Sequence, residues 1–153
     1  TEPDSREDLS GNDVARKLLV LAREIELTPE FSDINITSLL LPNLNETHSK
    51  PEYAISKNLF DEPYRIAKIT QIEGHVLRYI GELDVENNKL EVKLVSTPES
   101  TPLGSLKGSD AIFEIYTESY GAQPIVIQGA GAGASVTARG VFGDILRLAK
   151  HNN

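Results

Sequence analysis

Apolar positions along the chain change period several times, and the changes outline its elements. Val14, Leu18, Leu21 and Ile25 recur at three- and four-residue intervals, the spacing that lines up one face of an α-helix. A helix is therefore predicted from near Gly11 to about Glu26, broken by Thr28-Pro29-Glu30. Ile34-Asn35-Ile36-Thr37 alternates instead, as a half-buried strand does, and Leu39-Leu40-Leu41-Pro42 closes it. Asn43 to Ser49 is polar and reads as a loop. From Pro51 the pattern is helical again. Asp61-Glu62-Pro63 resembles a second helix start, and Ile66, Ile69 and Ile72 lead to a stop at Gly74.

Val76 to Asp84 and Leu90 to Val95 are rich in branched residues and are joined by Glu86-Asn87-Asn88, an Asn pair that tolerates the positive φ of a hairpin turn. A loop with Pro98, Pro102, Gly104 and Gly108 follows, then an alternating strand from Ala111 to Thr117. Ile125-Val126-Ile127 is a short strand that runs into Gly129-Ala130-Gly131-Ala132-Gly133-Ala134. The last helix is predicted over Val136 to Lys150, with Val141, Ile145 and Leu148 on one side. Helix, strand, helices, hairpin, strand, strand and helix make an α+β fold, a mixed β-sheet covered by α-helices. Residues 1–153 read as one domain, with no internal repeat.

Charge changes the picture at the start of the chain, where Glu2, Asp4, Glu7, Asp8 and Asp13 gather near Lys17. Ser10 and Asp13 have the spacing of a variant capping box, which occupies backbone N–H groups of a first helical turn. Asp13 and Lys17 stand four apart, on one helix face and apart from the apolar stripe. Two readings fit. Acids in a first turn complement the helix dipole, and an i, i+4 acid/lysine pair is a common surface salt bridge. Clustered carboxylates also bind an ammonium group and hold a lysine in a chosen protonation state, which suits an amino-acid substrate.

With 39% apolar and 25% charged residues, the chain belongs among globular proteins. A net charge of −8 and no basic run argue against nucleic acid or an anionic membrane as partner. There is no membrane-length apolar segment and no signal peptide, so a cytoplasmic location is expected. The absence of cysteine rules out disulfides and thiolate chemistry. His48, His75 and His151 lack ligand spacing, and no metal site is expected. The Asn-x-Thr sequons at Asn35 and Asn45 matter only in a secreted protein. The chain has no Met and opens at Thr1 inside an acidic motif, so a fragment of a longer protein is expected.

Strand, Gly129-x-Gly131-x-x-Ala134 and helix match a short dinucleotide-binding fingerprint, but that unit also needs a second strand with an acid about 20 residues on. The 153 residues end before that point. Tight packing of helix against strand is the alternative.

Glu2-Pro3-Asp4 with Asp8-Leu9-x-Gly11-x-Asp13-Val14-Ala15-Arg16-Lys17 resembles the signature of homoserine dehydrogenases. So, in the same order, do His75-Val76-Leu77-Arg78-Tyr79-Ile80-Gly81, Leu106-Lys107-Gly108-Ser109-Asp110 and the segment from Pro124 to Asp144. The resemblance covers nearly the whole chain and is closest to fungal-type enzymes and to bifunctional aspartokinase–homoserine dehydrogenases. Ser5 stands where the family usually has proline, and Asn12 where it usually has an apolar residue.

The resemblance implies a substrate-binding and dimerising domain, similar in plan to the second domain of glyceraldehyde-3-phosphate dehydrogenase. An N-terminal Rossmann domain is absent from these residues. The implied reaction is the NADP- or NAD-dependent interconversion of L-homoserine and L-aspartate 4-semialdehyde, in threonine and methionine biosynthesis. Lys17 would be the acid/base group, with Asp13 beside it, and Glu2, Asp8 and Asp13 would bind substrate. Gly129, Gly131 and Gly133 would be small so that the cofactor can approach. A homodimer is expected, as is inactivity without the nucleotide-binding domain. The competing reading is a non-catalytic regulatory or interaction domain whose acidic start is only a capped helix end.

Overall fold

The structure, a computed structural model, describes residues 6–40, 72–131 and 133–151. The predicted helices from Pro51 lie outside these residues as far as residue 71, as do Glu2, Asn45 and His48, and Ile72 is not helical. Contacts divide the chain into two units, Thr1–Pro98 and Glu99–Asn153.

The first unit is built on a helix that lies close to a small sheet. Helix α1 (Arg6–Ser10) is a little over one turn long and passes through Gly11 into α2 (Asn12–Glu24). The buried face of α2 is Ala15, Leu18 and Ala22, exposed by 0, 6 and 0%. This corrects the predicted stripe: Leu18 is in it and Val14 is partly buried at its edge, but Leu21 and Ile25 are 41 and 48% exposed. The physical reason is proximity. Two alanines let the helix backbone approach the sheet more closely than branched residues could, and the buried line shifts toward them.

The end of α2 also has a local cause. The N–H of Glu26 donates to the Arg23 carbonyl at 3.1 Å and that of Leu27 to the Ala22 carbonyl at 3.0 Å. This pair of bonds is a Schellman closure, which needs a left-handed residue between helix and exit. Glu26 takes that role, with φ 67°. Leu27 then folds back onto the core, and a 3₁₀ turn (Phe31–Asp33) leads into the sheet.

Three strands form that sheet: β1 (Asn35–Ile36), β2 (His75–Asp84) and β3 (Lys89–Pro98), in the order β1-β3-β2. β1 runs parallel to β3, and β2 antiparallel to it. The predicted hairpin is therefore present, with pairing unbroken from His75 opposite Pro98 to Asp84 opposite Lys89. Of the two turn asparagines only Asn88 has positive φ, 50°. Asn87 instead donates its backbone and side-chain N–H groups to the Asp84 carboxylate, at 3.0 and 2.7 Å. Those bonds hold the Asp84 carboxyl below its usual range. Val92 sits at the middle of the sheet, opposite both Ile36 and Gly81, and is fully buried with Leu90 and Ile34 close to it in the core. Each such side chain contributes roughly 1.5–3 kcal/mol through burial.

The second unit contains an antiparallel hairpin of β4 (Asp110–Ile115) and β5 (Ile125–Ala130), and a helix α3 (Ala134–His151). β5 runs three residues further than the apolar triplet predicts: Gln128, Gly129 and Ala130 pair opposite Ile112, Ala111 and Asp110. The glycine run thus begins inside a strand, because backbone pairing does not require an apolar side chain. Val141, Ile145 and Leu148 of α3 are 56, 56 and 67% exposed. The fold is α+β, and the described residues form a mixed sheet of three strands and another sheet of two. Among the described residues no helix is long and apolar enough to cross a membrane.

Candidate active site

The acidic motif forms an elbow, with α1 and α2 as its arms and Gly11 as its joint. Gly11 has φ 84°, a left-handed conformation that L side chains rarely adopt. It is also buried against the sheet. A Cβ at this position would fall on the Tyr79 hydroxyl and lie 2.9 Å from Ile36 Cγ2 and 3.1 Å from Val92 Cγ1. The Tyr79 hydroxyl donates to the Thr37 carbonyl at 2.9 Å, and the Leu39 N–H donates to the Leu9 carbonyl at 2.9 Å. Strand β1, its exit and α1 are thereby tied around the joint.

The predicted capping box is not formed, which is a correction. The N-cap position of α2 is Gly11, which has no side chain to cap with. Ser10 ends α1: its hydroxyl donates to the Glu7 carbonyl at 2.8 Å and accepts from the Asn12 N–H at 3.3 Å. A box needs Ser10 in an extended conformation just before the helix, and here it is the last residue of the preceding turn.

Outside the joint the elbow carries charge. Asp13 and Lys17 form an ion pair, Oδ2 to Nζ 2.6 Å, as their spacing predicts. Their side chains are 41 and 71% exposed. Such a pair adds only about 0.3–0.5 kcal/mol to stability, so its value to the fold is small. Glu7 of α1 pairs with Arg16 of α2 across the elbow. Asp8 is exposed on α1, and its carbonyl accepts from the Gly11 N–H at 3.2 Å. The structure therefore brings Asp8, Asp13 and Lys17 onto one elbow, with Glu2 outside the described residues.

The joint's floor is the part that sequence reasoning missed. Tyr79 and Gly81 lie two apart on β2, facing the helix: Tyr79 meets Gly11, and a Cβ at Gly81 would come within 2.9 Å of Leu18 and Val14. A large residue beside a glycine on one strand face is the available signal, since it marks a close helix approach.

The predicted cofactor glycines separate into two kinds. A Cβ at Gly131 would lie 2.7 Å from Ala111 Cβ, and the Gly131 N–H donates to the Ser109 carbonyl at 3.2 Å. Packing within the hairpin region accounts for that glycine. Among the described residues nothing lies within 4 Å of a Cβ added at Gly129 or Gly133, and Gly133 has φ 137°. They leave open space that a planar group could enter.

Among the described residues two strongly perturbed charges, Glu91 and Lys93, lie on β3. Glu91 receives Lys89 and Lys93, each at 2.8 Å, and the Asn35 amide at 3.3 Å. These partners, Lys89 foremost, bring its carboxyl down to about 2. Lys93 also pairs with Glu82 at 2.5 Å and is raised by Glu82 and then Glu91. His75 lies with Nδ1 3.4 Å from Ser96 Oγ. Among the described residues no group of three or more His, Cys, Asp or Glu could hold a metal ion.

The family model described as homoserine dehydrogenase matches residues 1–146. The chloroplastic bifunctional aspartokinase/homoserine dehydrogenase 1 of Zea mays is 47% identical over 152 residues, 99% of this chain and 16% of that protein. The homoserine dehydrogenase of Saccharomyces cerevisiae is 40% identical over 155 residues, 98% of this chain and 42% of that protein. A crystal structure of a Candida auris protein of unknown function superposes with a TM-score of 0.81 at 37% identity, covering 97% of this chain and 42% of that one. The chain thus spans less than half the length of these relatives.

Proposed function

Because this chain belongs to the homoserine dehydrogenase family, we propose that it carries the substrate-binding and proton-transfer side of the interconversion of L-homoserine and L-aspartate 4-semialdehyde. The observation that carries the reading is the Asp13–Lys17 ion pair on the acidic elbow. The chemistry that NAD(P) would supply when bound is hydride transfer to the aldehyde carbon of the semialdehyde, or from the matching carbon of homoserine in reverse. Hydride arrival leaves negative charge on the substrate oxygen, and that oxygen must take a proton. Lys17 donates it in the direction of homoserine and accepts it in reverse, with Asp13 holding the ammonium in place. Glu2 and Asp13 bind polar groups of the substrate, and Asp8 helps to position its ammonium or Lys17.

Gly129, Gly131 and Gly133 border the nicotinamide in this reading, and Gly131 also packs against Ala111. The phosphates and adenosine need a complete βαβ unit with a helix N-terminus aimed at them. That unit belongs to a nucleotide-binding domain outside these 153 residues, so the isolated chain is inactive. The chain also pairs with a second copy of itself through a sheet face, and its plan follows the second domain of glyceraldehyde-3-phosphate dehydrogenase.

Lys17→Ala in the full-length protein tests the assignment. Turnover should fall by at least about a hundredfold, the usual scale for removing a general acid/base, with folding and cofactor affinity unchanged. Turnover within about threefold of the parent would remove Lys17 from the mechanism.

A further inference from the structure

The geometry points to Tyr79 as a positioning residue for the acidic elbow: its hydroxyl is the surface on which the Gly11 joint rests, and so it sets where Asp8 and Asp13 stand. The inference builds on the proposed roles of Asp13, Asp8 and Lys17. Gly11 holds a left-handed φ of 84°, and the space a Cβ would take there is filled by the hydroxyl at the tip of the Tyr79 ring. That tip is held by its bond to the Thr37 carbonyl, 2.9 Å long, just beyond the end of β1. Thr37 is fixed in turn, because its own N–H donates to the Val92 carbonyl at 2.8 Å.

A chain of contacts thus runs from the middle of the sheet, through Thr37 and Tyr79, to the joint. Asp13 follows the joint by two residues, and Asp8 precedes it by three. The helix below is held independently, by Leu18 and Val14 against Gly81. Losing the hydroxyl bond therefore frees the joint and α1 more than it frees the body of α2. Substrate-binding acids on the elbow would move, while the sheet and the nucleotide side stay as they are.

Tyr79→Phe in the full-length enzyme isolates this effect, since the ring stays and only the hydroxyl leaves. The expected result is a rise of at least about threefold in the KM for homoserine and a fall of about tenfold in kcat/KM, because small misplacements of binding groups are costly to rate. The KM for NADP should not change. A merely structural role lowers the amount of active enzyme and hence kcat, but cannot raise KM for one substrate alone. A homoserine KM within about 1.5-fold of the parent would overturn the inference. Lys17→Ala, assayed alongside, separates the two failures. If it is inactive while Tyr79→Phe is parental, only the positioning role falls. If Lys17→Ala is parental, the site reading falls and this inference with it.

Discussion

Replacing Gly11 with alanine imposes two costs that neighbouring glycines allow to be measured separately. The first is conformational: a φ of 84° is left-handed, and an L side chain there costs about 1–2 kcal/mol. The second is steric, because the new Cβ would fall on the Tyr79 hydroxyl and crowd Ile36 and Val92, and overpacking costs about 1–3 kcal/mol. Lower entropy of the unfolded chain returns about 0.4–1 kcal/mol. The net loss is about 2–4 kcal/mol, a large part of the roughly 5–15 kcal/mol of a whole domain. Gly74→Ala has the strain without crowding from the described residues, since its φ is 74° and none of them lies within 4 Å of an added Cβ, and it should cost at most about 1 kcal/mol. Gly81→Ala has the crowding without positive φ, against Leu18 and Val14 side-chain atoms at 2.9 Å, and should cost about 1–2 kcal/mol. Thermal and urea unfolding, followed by circular dichroism, compare the three; the Gly11 loss corresponds to roughly 4–16 °C in Tm. If Gly11→Ala is no worse than Gly74→Ala, the Tyr79 floor does not crowd the joint, and the description of the elbow is wrong.

Other consequences can be checked independently. Glu26→Gly should stabilise by about 0.5–1 kcal/mol, because φ 67° suits glycine at a Schellman closure; a lower Tm would contradict that account of the helix end. Glu91 is lowered to about 2, so its contribution is complete above the ordinary carboxyl value of 4.5 and is lost as pH falls toward 2. The stability gap between the parent and Glu91→Gln should therefore shrink across that window, and a gap that is constant from pH 7 to pH 2 would argue against the lysine partners. Lys93 has the opposite sign: being raised, it contributes fully below 10.5 and loses that contribution as pH rises beyond it. Glu2→Ala in the full-length protein should weaken homoserine binding more than NADPH binding, and equal losses would remove Glu2 from the substrate site. The 153-residue chain alone should show no turnover, and light scattering should give twice its 16.8 kDa; measurable activity or a monomer would each count against the proposed division of labour.

Local rules carried much of this protein without any tertiary information. The β2–β3 hairpin follows from two runs of branched residues around an Asn pair, and Asn88 takes the left-handed turn position. The Asp13–Lys17 pair follows from a spacing of four on a helix. These features are set within a few residues, so the sequence by itself determines them. The buried face of α2 is different. Hydrophobicity alone favours Val14, Leu18, Leu21 and Ile25, yet the helix turns Ala15, Leu18 and Ala22 to the sheet. Small size wins there because Gly81, far away in sequence, opens the space into which Val14 and Leu18 settle. The joint is decided in the same way: Ser10 and Asp13 satisfy a local capping pattern, but Gly11 is buried on Tyr79, Ile36 and Val92, and that packing favours a left-handed bend over a capped start. Which residues carry charge can be read from the chain, whereas where the charges stand depends on contacts between segments separated by more than sixty residues, and only the folded backbone brings those segments together.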